Sequence, residues 1–287
     1  MRVGFIEADL HCHTTASDGL LTPSEVVKLA QGRGLKAVGI TDHDTVQGWQ
    51  EAERAGQEWG VEILKGIELN TDWQGTEVHI LGYELDPDAP NLMERLETLR
   101  RAREARMLEI IERLRTLKIA LTAEDVRKFA SGESIGRPHV AQALMAQGYV
   151  ESIRDAFERY IGQGAPAYVP RSKLSPEEGI ALVHEASGVA VLAHPGVHRL
   201  ERGIPAWAES GLQGIEVSHS EHSPEDERRC REMATKYGLL MTGGSDFHGE
   251  KRKPGVKLGS WGVQMEVVRQ IKELAERARR LSFTPKP

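Results

Sequence analysis

Seven short apolar runs, at 5–13, 36–41, 61–69, 77–85, 189–194, 214–219 and 239–245, alternate with helix-patterned segments, and each carries a histidine or a carboxylate at its last residue or one residue from it. Runs of this length suit buried strands better than helices. Strands separated by helices are expected to run parallel, because a parallel neighbour is reached only through a crossover. The first helix opens at Thr22-Pro23-Ser24-Glu25, where Thr caps free amides, Pro fits the first turn and Glu25 reaches back. Polar groups at strand ends favour closure into an α/β barrel of seven strands, with its chemistry at the C-terminal mouth.

The strand pattern stops between Asp86 and about Lys173, where Met107, Ile110, Ile111, Leu114 and Leu117 recur at helical spacing. Residues 87–173 are accordingly a helical insertion, a cap, between barrel segments 1–86 and 174–287. A chain of 287 residues is long enough for both. Within the insertion, 91–115 carries seven Arg and five Glu, with pairs such as Glu97 and Arg101 four apart, and reads as a solvated face. A last helix near 263–280 is expected on the barrel exterior.

Lys and Arg total 37 against 43 Asp and Glu, so the net charge of -6 offers no general attraction to long duplex nucleic acid or an anionic membrane. An anionic substrate must be drawn by a local positive site. The two cysteines, Cys12 and Cys230, leave no disulfide framework and suit a reducing, cytoplasmic setting. The first ten residues lack the basic start and apolar run of a signal peptide, and no stretch approaches the ~18 apolar residues of a membrane span. No obligate protein partner is evident.

On a strand, residues two apart share a face, so His11 and His13 can point together while Cys12 turns into packing. Alone, that pair is as readily structural as metal-binding. Asp18, His43, Glu68, His79, His194 and Asp246-Phe247-His248 tip the balance, because each follows or ends a strand and a barrel brings such positions to one rim. His184, inside a helical stretch, shows the contrasting structural histidine. Imidazole with carboxylate suits Zn, Mn, Fe or Ni better than Ca or Mg, and the lack of usable thiolates argues against a Cys-rich structural site. Asp42 and Asp44 are poorer ligands and better partners for imidazole N–H groups.

Asp9-Leu10-His11-Cys12-His13, Thr41-Asp42-His43-Asp44, Gly66-Ile67-Glu68, Ala193-His194-Pro195 and Gly243-Gly244-Ser245-Asp246-Phe247-His248 resemble, in order, the motifs of the polymerase and histidinol phosphatase (PHP) family. The resemblance implies the PHP fold, a distorted (β/α)7 TIM-like barrel, and two to three divalent ions, Mn foremost with Zn or Fe as other occupants. By position it implies one ion on His11, His13, Glu68 and Asp246, with Glu68 bridging to a second on His79 and His194. Asp18, His43 and His248 would hold a third, Asp18 standing where some branches carry histidine. The insertion with Gly136-Arg137-Pro138-His139 is similar to that of nucleoside 3',5'-bisphosphate phosphatases, some of which are also 5'-to-3' exoribonucleases. In these, arginines of this kind recognise the phosphate that is not cleaved.

Three divalent ions would outweigh the carboxylates of Glu68, Asp18 and Asp246, which favours a substrate whose negative charge spreads in the transition state, a phosphate ester before an amide. Gly136 to His139 lies at an expected helix start, where amides, dipole and guanidinium can meet a phosphate. Arg171, in Val169-Pro170-Arg171-Ser172-Lys173, re-enters the barrel nearby. The expected substrate-binding set is Arg137, Arg171, His139 and His222. His219 joins His11, His13, Glu68, His194 and Asp246 in the catalytic set, and either His219 or His222 could protonate a leaving oxygen. His139 and His198 equally suit loop or helix positions satisfied by backbone. Lys251-Arg252-Lys253 reads as an exposed charge run.

Gly32-Arg33-Gly34 and Gly162-Gln163-Gly164 lack the context of a dinucleotide fingerprint, and Ser17, Ser218 and Ser245 sit on no nucleophile elbow. The expected activity is removal of the 3'-phosphate from small nucleoside 3',5'-bisphosphates, with shortening of short 5'-phosphorylated oligonucleotides at the same site. The alternatives are a histidinol-phosphate phosphatase, which needs no second phosphate pocket, an amide or lactone hydrolase on a related barrel, and a non-catalytic metal-stabilised scaffold.

Overall fold

The computed structural model describes residues 5–130, 134–170 and 174–282. Its strands are the expected seven: β1 Ala8–Cys12, β2 Ala37–Ile40, β3 Glu62–Trp73, β4 Thr76–Tyr83, β5 Val189–Leu192, β6 Gly214–His219 and β7 Leu240–Gly244. They pair in chain order within one sheet. Bonds from His13 N to Phe247 O (2.8 Å) and from Phe247 N to His11 O (3.3 Å) lay the exit of β7 against β1 and nearly close the barrel.

The strands are not all parallel, however. β4 runs antiparallel to both β3 and β5. The cause is local: Gln74 and Gly75, at φ 54° and 85°, form a two-residue turn, so β4 follows β3 as a hairpin and needs no crossover. This reversal brings the first half of β4, with Glu77 and His79, to the rim where the parallel strands end.

Helices α1 Pro23–Gly32 and α2 Trp49–Trp59 cover the outer wall early in the chain. Thr22 caps α1 as expected, accepting from Glu25 N at 3.2 Å while its own N–H reaches Glu25 Oε2 at 2.8 Å. The insertion holds α3 Pro90–Thr116, α4 Ala123–Arg127, α5 Arg137–Ala146 and α6 Ile153–Ala156, which runs into a π-turn at Phe157–Ile161. After it, α7 Pro176–Glu185, α8 Ile204–Glu209 and α9 Pro224–Tyr237 complete the outer layer.

Helix α3 serves two cores. Leu92, Leu96 and Leu99 pack on the barrel's outer layer, whereas Met107, Ile110, Ile111 and Leu114 join Val140, Leu144 and Ile161 in a separate cluster. Leu117, expected on the same stripe, is exposed, because the helix ends at Thr116. The solvated-face reading holds for Glu97, 2.7 Å from both Arg100 and Arg101, but not for Arg103, which is buried against the barrel.

The final helix, α10 Met265–Ser282, departs from expectation too. Its Val268, Ile271 and Ala275 join the inward-facing Ala8, Ala37, Leu64 and Val189, so α10 stoppers the N-terminal end of the barrel. Each large apolar side chain buried there contributes about 1.5–3 kcal/mol. Among the described residues no helix is long and apolar enough to cross a membrane.

Candidate metal centre

A β-bulge aims the first ligand. Between the paired positions Asp9/Val38 and Cys12/Ile40, β1 places Leu10 and His11 opposite the single Gly39 of β2. Both therefore turn inward, Leu10 into the barrel core and His11 to its mouth, while Cys12 packs outward. Glycine is required on both sides of this bulge. A Cβ on Gly39 would lie 2.8 Å from the Leu10 carbonyl carbon, and one on Gly244 would lie 2.9 Å from His11 Cα.

Glu68, in the middle of β3 and 1% exposed, is the hub. Its Oε2 lies 3.3 Å from His11 Nε2, 3.0 Å from His13 Nε2 and 3.0 Å from His43 Nδ1. Its Oε1 lies 2.6 Å from His79 Nδ1 and 3.1 Å from His194 Nε2. Asp246 Oδ1 approaches His11 Nε2 at 3.5 Å and His13 Nε2 at 3.3 Å. Asp18 Oδ1 approaches His248 Nε2 at 3.3 Å and His13 Nδ1 at 3.8 Å.

Donor atoms of His11, His13, Glu68 and Asp246 fall within 4.8 Å of one another, as do those of His13, Asp18, His43 and His248, and those of His43, Glu68 and His79. The buried His11 Nε2, both ring nitrogens of His13 and Asp18 Oδ1 approach their charged neighbours without the geometry of a hydrogen bond. Buried polar atoms are normally satisfied, so a cluster of orphaned donors fits divalent ions better than a packed core. Burial pushes the Cys12 thiol well up, which keeps it protonated and unsuited to metal.

The cluster polarises itself. Burial would raise the Glu68 carboxyl, but the imidazoles of His79, His43 and His11 hold it well below its usual range. Burial depresses His13 and His79, yet carboxylates outweigh it: Asp246 and Glu68 lift His13 to about 9, and Glu68 with Glu77 lifts His79 to about 10. For His43 and His194 burial wins, holding them at about 3 and about 4.

These shifts set the stability of the metal-stripped protein. His13 and His79 add stability that is complete below the ordinary histidine value and fades as pH rises through about 9 and about 10. Glu68 adds stability that is complete above the ordinary carboxylate value and fades in acid, while His43 and His194 cost stability once pH falls below the ordinary histidine value. Thermal melting of stripped protein should therefore peak near neutrality. A flat profile from there to about pH 10 would contradict the alkaline arm.

Several residues in contact with the cluster escaped the sequence reading. Glu216, fully buried on β6, lies 3.2 Å from His11 Nδ1 and accepts the His194 N–H at 2.9 Å. Its signal was a lone charge within the apolar run Gly214 to Val217. Glu77 sits 3.5 Å from His79 Nε2 and 3.2 Å from Arg137. Arg252 reaches Asp18 at 3.2 Å and Lys253 reaches Asp246 at 2.7 Å, so both leave the exposed run expected for them. The expected imidazole partners lie elsewhere too. Asp42 accepts from Thr14 N, Thr14 Oγ1 and Ser17 Oγ at 2.8, 2.8 and 2.6 Å, and so shapes the loop that presents Asp18. Asp44 accepts from Asn70 N at 3.1 Å and pairs with Arg103.

Arg137 opens α5 and lines the cavity above the cluster, its guanidinium 5.2 Å from the Phe157 ring centroid. His139 is 1% exposed, and its Nδ1 accepts the Gly136 N–H at 3.0 Å, which closes the helix start. His219 is buried with its Nδ1 accepting the Glu221 N–H at 3.1 Å, and its Nε2 lies 3.7 Å from Asp246 Oδ2. His222 uses both ring nitrogens on backbone, at Val217 O (2.9 Å) and Gly196 N (3.1 Å). Arg171 lies outside the described residues.

A barrel mouth that converges histidines and carboxylates on one buried glutamate is the arrangement of a metal-dependent hydrolase. Residues 9–164 match the PHP domain, and the chain belongs to the PHP family. It is 35% identical over 248 residues to a 5'-3' exoribonuclease of Haemophilus influenzae, covering 84% of this chain and 89% of that one. It is also 35% identical over 246 residues to a 3',5'-nucleoside bisphosphate phosphatase of Chromobacterium violaceum, covering 84% and 86%. A crystal structure from Bifidobacterium adolescentis, of a protein assigned by inference as a metal-dependent phosphoesterase, superposes with a TM-score of 0.87 at 37% identity over 93% of this chain and 96% of that one.

Proposed function

We propose that this protein is a metal-dependent phosphoesterase that releases the 3'-phosphate of nucleoside 3',5'-bisphosphates and also shortens short 5'-phosphorylated RNA from its 5' end. One cavity carries this reading. It encloses about 300 Å³ between a floor that includes Glu68, His79 and His194 and a roof from the insertion that includes Arg137, Met107 and Phe157. A floor for one anion, an arginine for another and an apolar wall between them match a substrate with two phosphates on a flat organic group. On this reading residues 87–173 are a cap over a barrel formed by 1–86 and 174–287, working in the cytoplasm.

One ion would sit on His11, His13, Glu68 and Asp246, a second on Glu68, His79 and His194, and a third on Asp18, His43 and His248. Mn is the proposed occupant, and Zn or Fe suit the same donors. When bound, such ions supply Lewis acidity, lowering the pKa of water and polarising phosphoryl oxygens. The chain supplies the rest. Glu216 at Nδ1 turns the His11 ring so that Nε2 faces the cluster. Arg137, at the start of α5, holds the phosphate that stays and so fixes the scissile ester over the floor. The Glu221 N–H on His219 Nδ1 puts the proton of the neutral ring on Nε2, facing the site, where it can donate a hydrogen bond to the leaving oxygen as charge builds there.

Purified protein with added Mn, offered a nucleoside 3',5'-bisphosphate, a monophosphate and 5'-phosphorylated RNA, should release phosphate from the bisphosphate far faster than from the monophosphate. Equal rates would favour the histidinol-phosphate type of enzyme. Arg137→Ala should lower kcat/KM on the bisphosphate by about 10- to 100-fold, the worth of one charged hydrogen bond, and leave the monophosphate rate nearly unchanged. Retention of full affinity and turnover would remove Arg137 from the site.

A further inference from the structure

The insertion carries a buried guanidinium that the proposed mechanism does not use. Arg103, on α3, is 8% exposed, with Nε 2.8 Å and Nη2 2.6 Å from Asp44 Oδ2. Asp44 passes the contact on. Its carboxylate accepts from Asn70 N at 3.1 Å and Asn70 Nδ2 at 3.4 Å, and Asn70 Nδ2 in turn lies 3.1 Å from His43 Nδ1. The backbone is drawn into the same contact, because Asp44 adopts φ 51° and its N–H reaches Glu68 O at 3.1 Å.

Arg103 also faces the other way. It lines the cavity, and a Cβ placed on Gly136 would lie 3.4 Å from its Nη1, so the guanidinium abuts the turn that presents Arg137. A planar, permanently charged fork can hold two such surfaces together where a lysine ammonium cannot. A solvated arginine would make neither contact, and a simple ion pair between cap and barrel would stop at Asp44.

We propose that Arg103 is a positioning residue for the third ion: by holding the Asp44 carboxylate it fixes the backbone that carries the adjacent His43, so that a seated cap completes the site of Asp18, His43 and His248. The inference rests on the metal-centre assignment above and not on the identity of the substrate. Groups that orient a metal ligand from behind typically govern about 10- to 100-fold in metal affinity.

Calorimetric titration of metal-stripped protein with Mn tests it without any substrate. In Arg103→Met one binding step should weaken by about 10- to 100-fold while the remaining steps keep their wild-type affinity, and Arg103→Lys should recover only part of the loss. Unchanged steps throughout would overturn the proposal. So would a parallel weakening of every step, the mark of a merely structural residue. Should Arg103→Met fail to fold because Asp44 is left buried and unpaired, Arg103→Met combined with Asp44→Asn removes that charge, and Asn accepts the left-handed backbone. The same two readings then apply. Activity on nucleotides can fail while the selective loss of one step stands, which separates this inference from the proposed function.

Discussion

Glu68→Gln should cost about a thousandfold or more in phosphate release and should strip the purified protein of most of its bound metal. Gln keeps the volume and removes the charge. Glu68 Oε1 and Oε2 together face His11, His13, His43, His79 and His194 at 2.6 to 3.3 Å, so this one carboxylate serves every histidine proposed as a ligand except His248. No neighbour can replace it, since Asp246 reaches only the His11 and His13 side among these five. Elemental analysis of the variant beside wild type, with phosphate release measured at saturating Mn, is the check. Wild-type metal content with wild-type turnover would mean that the cluster is not the catalytic centre.

Gly39→Ala and Gly244→Ala are the second pair of large effects, and they act through the backbone. The new methyl would press on Leu10 or on the His11 main chain at under 3 Å, too close for any real contact, so β1 must shift. Such overpacking typically costs about 1–3 kcal/mol. The larger consequence falls on His11, which the bulge aims. A displacement of about 1 Å in a positioned group can cost about a hundredfold in rate. Each variant is therefore expected to melt a few degrees lower and to lose about a hundredfold in turnover, while Gly32→Ala, at the end of α1 with no atom near its Cβ, leaves both unchanged. Equal losses in all three would show that the bulge has no special role.

Much of this organisation was legible in the chain. Seven apolar runs became seven strands, because strand length and the turn and capping residues around them are local properties. Thr22 to Glu25 formed the capping box that its spacing demanded. The histidines and carboxylates of the metal cluster were visible because a barrel collects strand ends at one rim whatever the details of packing.

What escaped has a common cause. The antiparallel course of β4 hung on a two-residue turn with no Asn-Gly signature, and the alternation of strand and helix pointed the other way. Glu216, Arg103, Arg252 and Lys253 looked like ordinary charges, since a charged residue declares itself only when a partner distant in sequence comes to bury it. The position of α10 was likewise open, because an amphipathic helix states that it has a covered face and not which surface covers it.

The sequence by itself determined the number of strands, the helical insertion and the set of residues able to hold metal, all of which follow from periodicity, caps and donor chemistry along short stretches. Only the tertiary structure decided that Glu68 is the hub, that a bulge against Gly39 and Gly244 aims His11, and that a buried arginine joins the insertion to the segment carrying His43. Those are contacts between segments tens to hundreds of residues apart, and their distances are set by how the layers pack, which no local pattern encodes.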